Sequence, residues 1–162
     1  MRLVVADTSP LRYLLQIGHI ELLPRLFEKI FIPSVVFDEL RHPSAPEAVR
    51  GWLTVPHPWL EISEVESSDD PSLASLDAGE KSAIILGVSL AADLILIDDR
   101  KGAAAARGKG FEVAGTLGIL DLAARRNLVN LREALAKLRS TNFRLRKELF
   151  DSILQRFEQS DS

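Results

Sequence analysis

Short apolar runs that alternate with helical segments are the feature that most restricts how this chain can fold. LVVA at 3–6, KIFIP at 29–33 and LILID at 94–98 each precede turn residues and a stretch with helical spacing. WLEISEV at 59–65 alternates like a strand, and FEV at 111–113 is a further brief candidate. Short apolar strands separated by helices predict an α/β fold, with a parallel sheet that is covered on both faces.

Apolar residues that recur every three or four positions predict the helices. Thr8 or Ser9 is the predicted N-cap of the first helix, with Pro10 in its first turn. Gly18 and His19 divide the segment 11–27 into two short helices. Further helices are predicted over 34–41, 47–53, 77–92, 101–109, 116–126, 131–139 and 145–157. We expect a single domain over 1–162, in which about 130–162 form a C-terminal helical extension.

The composition of the chain excludes several classes of protein and several kinds of site. The chain is 46% hydrophobic, which suits a proper core, and it has no cysteine, which excludes disulfides and zinc–thiolate sites. No segment approaches the roughly 18 apolar residues of a membrane span, so we expect a cytoplasmic protein. The formal net charge of −3 does not predict a broad basic surface. Contact with nucleic acid would require a local basic patch or an acidic site that first binds cations.

Acidic residues stand where strands end or helices begin. Asp7 follows the first strand, and Asp98 and Asp99 follow the strand at 94–97, whereas Glu39 and Glu80 lie early in helices. Ligand sites in open parallel sheets form at the carboxyl ends of the strands. Carboxylates gathered there repel each other unless a cation neutralises them, and hard oxygen ligands suit Mg²⁺ or Mn²⁺. The common use of such a site is phosphodiester chemistry.

Each acid also has an ordinary structural interpretation. Asp7 could be a turn or cap residue, and Glu39 could be an exposed helical acid, with the neighbouring Asp38 as a competitor for any role. Asp77 and Glu80 have the spacing of a capping box, in which Asp77 is the N-cap. The residues alone leave these alternatives open.

The pair Asp98-Asp99 has two interpretations as well. One of the two could cap the next helix, or the strand could deliver negative charge to a site. Arg100 and Lys101 follow immediately, where a phosphate backbone would need cations, although a solvated helix face would look the same.

Five segments, in order, are similar to one known family. They read VVADTSPL at 4–11, IPSVVFDEL at 32–40, LDAGEKSAIILG at 76–87, LILIDDRKGAAAARGKG at 94–110 and VAGTLGIL at 113–120. Together they resemble the PIN-domain family, in particular the PIN-like branch related to VapC-type toxin ribonucleases. The tail at 131–157 resembles the C-terminal helical segment of that branch. The resemblance implies a three-layer α/β/α sandwich with a short parallel central sheet, and cleavage of RNA by metal-activated water.

The resemblance also implies roles for individual residues. Asp7, Glu39, Glu80 and Asp98 match the catalytic acids of the family. Asp7, Glu80 and Asp98 would hold Mg²⁺ or Mn²⁺, and Asp99 could share or replace the role of Asp98. Ser9 matches a position whose hydroxyl supports the site by holding a water or a carboxylate.

Expected partners follow from the same resemblance. RNA is the expected substrate, a small antitoxin protein that masks the site is a possible partner, and a homodimer is expected by analogy. The alternative is a catalytically silent PIN-like module that binds nucleic acid or protein. Other α/β enzymes fit less well, because the chain has neither the second acid of a D-x-D phosphatase nor a P-loop nor a G-x-S-x-G elbow.

Overall fold

Two strands at the centre of a parallel sheet, β1 (Val4–Ala6) and β4 (Leu94–Leu96), lie side by side. The computed structural model describes residues 2–160, except for the side chain of Ser160. The other described strands are β2 (Ile30–Pro33), β3 (Leu60–Ser63) and β5 (Glu112–Ala114). The order is β3-β2-β1-β4-β5, and every neighbouring pair is parallel.

Helices connect the strands and cover the sheet, which confirms the predicted three-layer α/β/α sandwich with a short parallel central sheet. They are α1 (Thr8–Gln16), α2 (Leu22–Phe27), α3 (Ser34–Leu40), α4 (Glu47–Trp52), α5 (Ala78–Leu90) and α6 (Arg100–Gly108), and α7 (Thr116–Arg125) follows β5. A single 3-10 turn at Pro71–Leu73, which the sequence did not predict, precedes α5.

The direction of the connections reverses at the middle of the sheet. From β1 the chain proceeds through β2 to the edge strand β3, and α5 then returns it to the other side of β1, where β4 and β5 follow. The segments that leave β1 and β4 therefore diverge in opposite directions. This divergence opens a crevice at the carboxyl ends of two neighbouring strands, the usual place for a site in an open α/β sheet.

The central strands are short because both of their faces are buried. Every residue of β1 and β4 is at most 5% exposed, so these strands carry no polar side chain. On one face Ile95 and Ile97 pack with Ile84 of α5 and with Ala103 and Ala106 of α6. Each fully buried isoleucine contributes about 1.5–3 kcal/mol, so this packing fixes the sheet on which the acids stand.

The chain divides into two compact units, one ending at Thr116 and the other beginning at Leu117. The second contains most of α7, α8 (Leu131–Arg139) and α9 (Lys147–Ser160). Leu131, Ala134, Leu135 and Leu138 of α8 are buried at positions i, i+3, i+4 and i+7, as expected for an amphipathic helix. No helix within residues 2–160 is both long enough and apolar enough to cross a bilayer.

The predicted elements are confirmed, with shifts at their ends. Asp7 occupies the N-cap position of α1, one residue before the predicted Thr8 or Ser9. The strand β4 ends at Leu96, two residues earlier than predicted, and α9 begins at Lys147, two residues later. Beyond Leu96 the backbone N–H of Ile97 still donates to the carbonyl of Ala114 at 3.0 Å, and the side chain of Asp98 then bonds to Thr116.

Candidate active site

The register of β1 and β4 places two predicted acids at the same edge of the sheet. Ala6 is opposite Leu96, and the backbone N–H of Asp7 donates to the carbonyl of Leu96 at 2.9 Å. Asp98 follows two residues after Leu96. Both acids therefore leave neighbouring strands at the crevice, and Asp7 is only 6% exposed.

Thr116 holds the carboxylate of Asp98 from the other side. Its backbone N–H donates to Oδ1 at 2.7 Å and its hydroxyl to Oδ2 at 2.8 Å, and Thr116 is fully buried. Gly115 leaves room for this arrangement, because a Cβ atom there would lie 2.6 Å from Oδ1 of Asp98. The segment after β5 thus fixes the orientation of an acid that follows β4.

Glu39 and Asp7 meet over the backbone of Gly79, in the first turn of α5. A Cβ atom on Gly79 would lie 2.9 Å from Oε1 of Glu39 and 3.0 Å from Oδ1 of Asp7. Thr8 donates a hydrogen bond from its hydroxyl to Glu39. Glu39 is therefore not only an exposed helical acid, since its carboxylate reaches the crevice from α3.

Glu80 brings a further carboxylate to the same place. Asp77 is the N-cap of α5, as the capping-box interpretation predicts, and its side chain accepts the backbone N–H of Glu80 at 2.8 Å. The side chain of Glu80 is only 9% exposed and interacts electrostatically with Asp77, Asp99 and Asp7. Glu80 is thus a buried acid among other acids.

Burial and mutual repulsion disfavour the charged forms of these acids. Burial, together with repulsion from Asp77, Glu39 and Asp98, raises the pKa of Asp7 to about 7, against the lowering effect of a hydrogen bond from the Thr8 backbone. Burial, then a hydrogen bond and repulsion from Asp77, raise the pKa of Glu80 to about 8. Burial also raises the pKa of Asp98, although Thr116 opposes the shift. Within residues 2–160, no lysine or arginine forms an ion pair with Asp7, Glu80 or Asp98.

The remaining predicted residues lie around this cluster. Asp99 caps α6 by accepting the backbone N–H of Gly102 at 2.9 Å, which is the capping alternative, and its charge still acts on Glu80. Arg100 and Lys101 are exposed in the first turn of α6. Ser9 is half-buried in the first turn of α1. The catalytic, ligand and phosphate roles of all the named site residues remain predictions.

The fold and the acid cluster agree with a comparison to known families. The DUF3368 family model, which describes a PIN domain, matches residues 3–159. The chain belongs to the PIN-domain family. No curated protein matches it in sequence. PIN domains are in general nucleases that use divalent metal ions, so membership indicates a hydrolase of phosphodiester bonds.

The side chains of this PIN domain suit a divalent metal ion in their chemistry. They offer hard oxygen ligands, buried negative charge without a basic partner, and a glycine where any side chain would displace two carboxylates. Within residues 2–160, no group of three or more acidic, histidine or cysteine side chains is placed so that all of them could hold one metal ion. Mg²⁺ commonly binds to one or two carboxylates and keeps several waters, so an incomplete protein shell is compatible with it. Asp7, Glu39, Glu80 and Asp98 are the residues that could hold the ion.

Sequence reasoning assigned no site role to several residues that the structure adds. Asp77 repels both Asp7 and Glu80, while Thr116 and Thr8 orient two of the acids. Asp77 stands within the D-A-G-E segment, so the motif itself was a signal for it. Thr116 stands within the VAGTLGIL segment, which was a signal for it, but only the pairing of β4 with β5 brings it to Asp98.

Proposed function

We propose that this PIN domain is an endoribonuclease that depends on Mg²⁺ or Mn²⁺ and cleaves single-stranded or structured RNA with an activated water molecule. The observation that carries the proposal is the group of carboxylates from Asp7, Glu39, Glu80 and Asp98 at the reversal point of the sheet. Buried acids without a basic partner destabilise a protein when they are ionised, unless a cation neutralises them, so we assign them to metal binding.

Four acids and two hydroxyl groups have roles in the proposed mechanism. Asp7 and Glu80 are the most buried of the four acids and would hold the ion. The carboxylates of Asp98 and Glu39 would add negative charge beside it. A bound divalent ion supplies activation of water and neutralisation of charge on the phosphate and leaving oxygen. Thr116 and Thr8 keep Asp98 and Glu39 in position before substrate arrives, which avoids reorganisation during the reaction.

Arg100 and Lys101 are the proposed contacts for the RNA backbone near the site. They follow directly on Asp98 and Asp99 and are exposed. A cation in the first turn of a helix is unfavourable to the helix dipole, so helix stability does not explain two of them in sequence. Contact with a phosphate group would offset that cost.

We also propose a biological setting from the resemblance to the VapC-type branch. The chain would act in the cytoplasm as the toxin of a toxin–antitoxin pair, as a homodimer, with a small antitoxin that masks the site. The test is expression of the chain with and without the adjacent gene. Growth arrest that the neighbour relieves, and that Asp7→Asn abolishes, supports the toxin role; unimpaired growth on strong expression contradicts it.

RNA cleavage tests the enzymatic proposal directly. Labelled single-stranded RNA is incubated with the protein and Mn²⁺, Mg²⁺ or EDTA, in parallel with Asp7→Asn and with Asp38→Asn as the matched control. Asp38 is exposed, pairs with Arg41 and adjoins Glu39 without reaching the crevice, so Asp38→Asn should cleave as the wild type does. We expect cleavage with metal only, and none by Asp7→Asn. Binding of RNA without cleavage would contradict the proposal and support the silent binding module.

A further inference from the structure

A group of exposed cations extends from the last turn of α8 to the first residue of α9, in the C-terminal unit. We call it the α8–α9 basic surface; it consists of Lys137, Arg139, Arg144, Arg146 and Lys147, all exposed. Residues 134–147 contain these five cations and no acid. Residues 117–162 carry nine lysines and arginines against six acids, whereas residues 1–116 carry eleven against seventeen. The C-terminal unit of this acidic protein therefore has a net positive charge, whereas the first unit has a net negative charge.

None of these five cations forms an ion pair within the described part of the chain. Within residues 2–160, six of the other fifteen cations do, among them Lys29 with Glu61, Arg41 with Asp38 and Arg125 with Asp121. Arg139 instead lies over the ring of Phe150 at 5.3 Å, which restrains its guanidinium group. Leu138 and Leu145 are buried and anchor the segment from inside. Glu133 and Glu148 flank the segment in sequence, but among the described residues neither forms an ion pair with one of the five cations. The surface thus presents positive charge without a paired acid, on an ordered support.

Helix stability accounts for only part of this charge. Lys137 and Arg139 lie in the last turn of α8, where cations stabilise the helix end by roughly 0.3–1 kcal/mol. Arg144, Arg146 and Lys147 lie just before or at the start of α9, where the helix dipole disfavours cations. Mutual repulsion of these three adds to that cost. The charge of these three residues therefore indicates an anionic partner outside the chain.

We propose that the α8–α9 basic surface binds the phosphate backbone of single-stranded RNA, as a second contact in addition to the cleavage site. The proposal rests on the proposed ribonuclease function for its choice of RNA as the polyanion. Closely spaced cations without acids match a phosphate-bearing strand, in which negative charges repeat along the chain. The contact would give long RNA an affinity that short RNA lacks.

The first experiment measures binding without cleavage. Fluorescence anisotropy of a labelled 20-nucleotide RNA in EDTA is recorded over a range of salt for the wild type and for Arg144→Gln/Arg146→Gln/Lys147→Gln. Loss of three phosphate contacts should weaken binding about tenfold to a hundredfold and reduce the slope of log K against log salt by about 2. Arg144→Lys/Arg146→Lys keeps the charge and should bind nearly as the wild type does.

A matched control removes the same charge elsewhere. Arg25→Gln/Arg41→Gln/Arg50→Gln substitutes three exposed cations of the first unit, and we expect little change in the salt slope. An equal loss in this control, or an unchanged slope in the α8–α9 variant, would overturn the proposal. Binding of phosphatidylglycerol vesicles with no binding of RNA would overturn it as well.

Cleavage kinetics separate this proposal from the ribonuclease function. With Mn²⁺, the α8–α9 variant should show a raised KM for the 20-nucleotide RNA, with kcat retained and with a 5-nucleotide RNA cleaved as by the wild type. If the wild type binds RNA through this surface but never cleaves it, the basic surface is supported and the ribonuclease function fails. If the wild type cleaves RNA and the variant does so with the same KM, the basic surface fails alone.

Discussion

Thr116 and Asp98 form a two-point contact in which one residue supplies both donors, its backbone N–H at 2.7 Å and its hydroxyl at 2.8 Å. The contact joins the segment after β5 to the acid after β4, so strand pairing determines the direction of the Asp98 carboxylate. Residues that orient metal-binding side chains typically affect metal affinity or activity by 10- to 100-fold.

Thr116→Val should therefore reduce Mn²⁺ affinity and RNA cleavage by about 10-fold or more, since it removes one donor and keeps the shape. Thr116→Ser keeps the hydroxyl and should retain most of both. Isothermal titration with Mn²⁺ provides a measurement that does not depend on turnover. Equal affinities for the valine and serine variants would show that the hydroxyl does not orient Asp98.

Glycine at 115 and at 79 makes room for carboxylates, so alanine should displace them. In Gly115→Ala the new methyl would lie 2.6 Å from Oδ1 of Asp98, and in Gly79→Ala it would crowd Asp7 and Glu39. We expect both variants to lose cleavage and Mn²⁺ binding. Gly108→Ala is the control, because nothing lies within 4 Å of its added Cβ and alanine favours the helix by up to about 1 kcal/mol. Wild-type activity in Gly115→Ala would contradict the proposed packing.

The raised pKa of Asp7 predicts how stability depends on pH without metal. Between its usual value of 3.8 and about 7, the folded protein binds more protons at Asp7 than the unfolded chain does. The free energy of unfolding should therefore fall as pH rises through this range, by up to about 4 kcal/mol for this group. Urea unfolding in EDTA at pH 5 and pH 8 measures the change.

Asp7→Asn serves as the reference for that effect. It keeps the shape but cannot ionise, so it should be more stable than the wild type at pH 8 and differ less at pH 5. If the wild-type protein in EDTA is as stable at pH 8 as at pH 5, the buried acids do not repel each other in the folded state.

Divalent ions should reverse this loss of stability in the wild type. Binding to the folded state alone adds RT ln(1 + [L]/Kd), about 2.7 kcal/mol at one hundred times Kd. Thermal unfolding at pH 8 should therefore shift upward with Mn²⁺ or Mg²⁺ in the wild type and in Asp38→Asn, and much less in Asp7→Asn. Equal shifts in all three proteins would place the ion elsewhere.

The sequence by itself determined the local structure of this protein. Apolar runs such as 94–97, short and bounded by turn residues, favour buried strands, and the spacing of apolar residues in segments such as 78–90 favours helices, because both patterns arise from the geometry of the backbone. The acids after β1 and β4 were visible for the same reason. The ends of elements did not follow from the sequence in the same way, since the last backbone bonds of a strand depend on its neighbour, as for Ile97 with Ala114.

Tertiary structure alone decided which of these elements meet. The order β3-β2-β1-β4-β5 places β4 beside β1 although almost ninety residues separate them, and no local pattern encodes that choice. This strand order places Glu39 over Gly79 and Thr116 beside Asp98. It also brings separate acids together, so that they repel each other and their pKa values rise. Electrostatic coupling depends on distance in space and on burial, and both exist only in the folded chain.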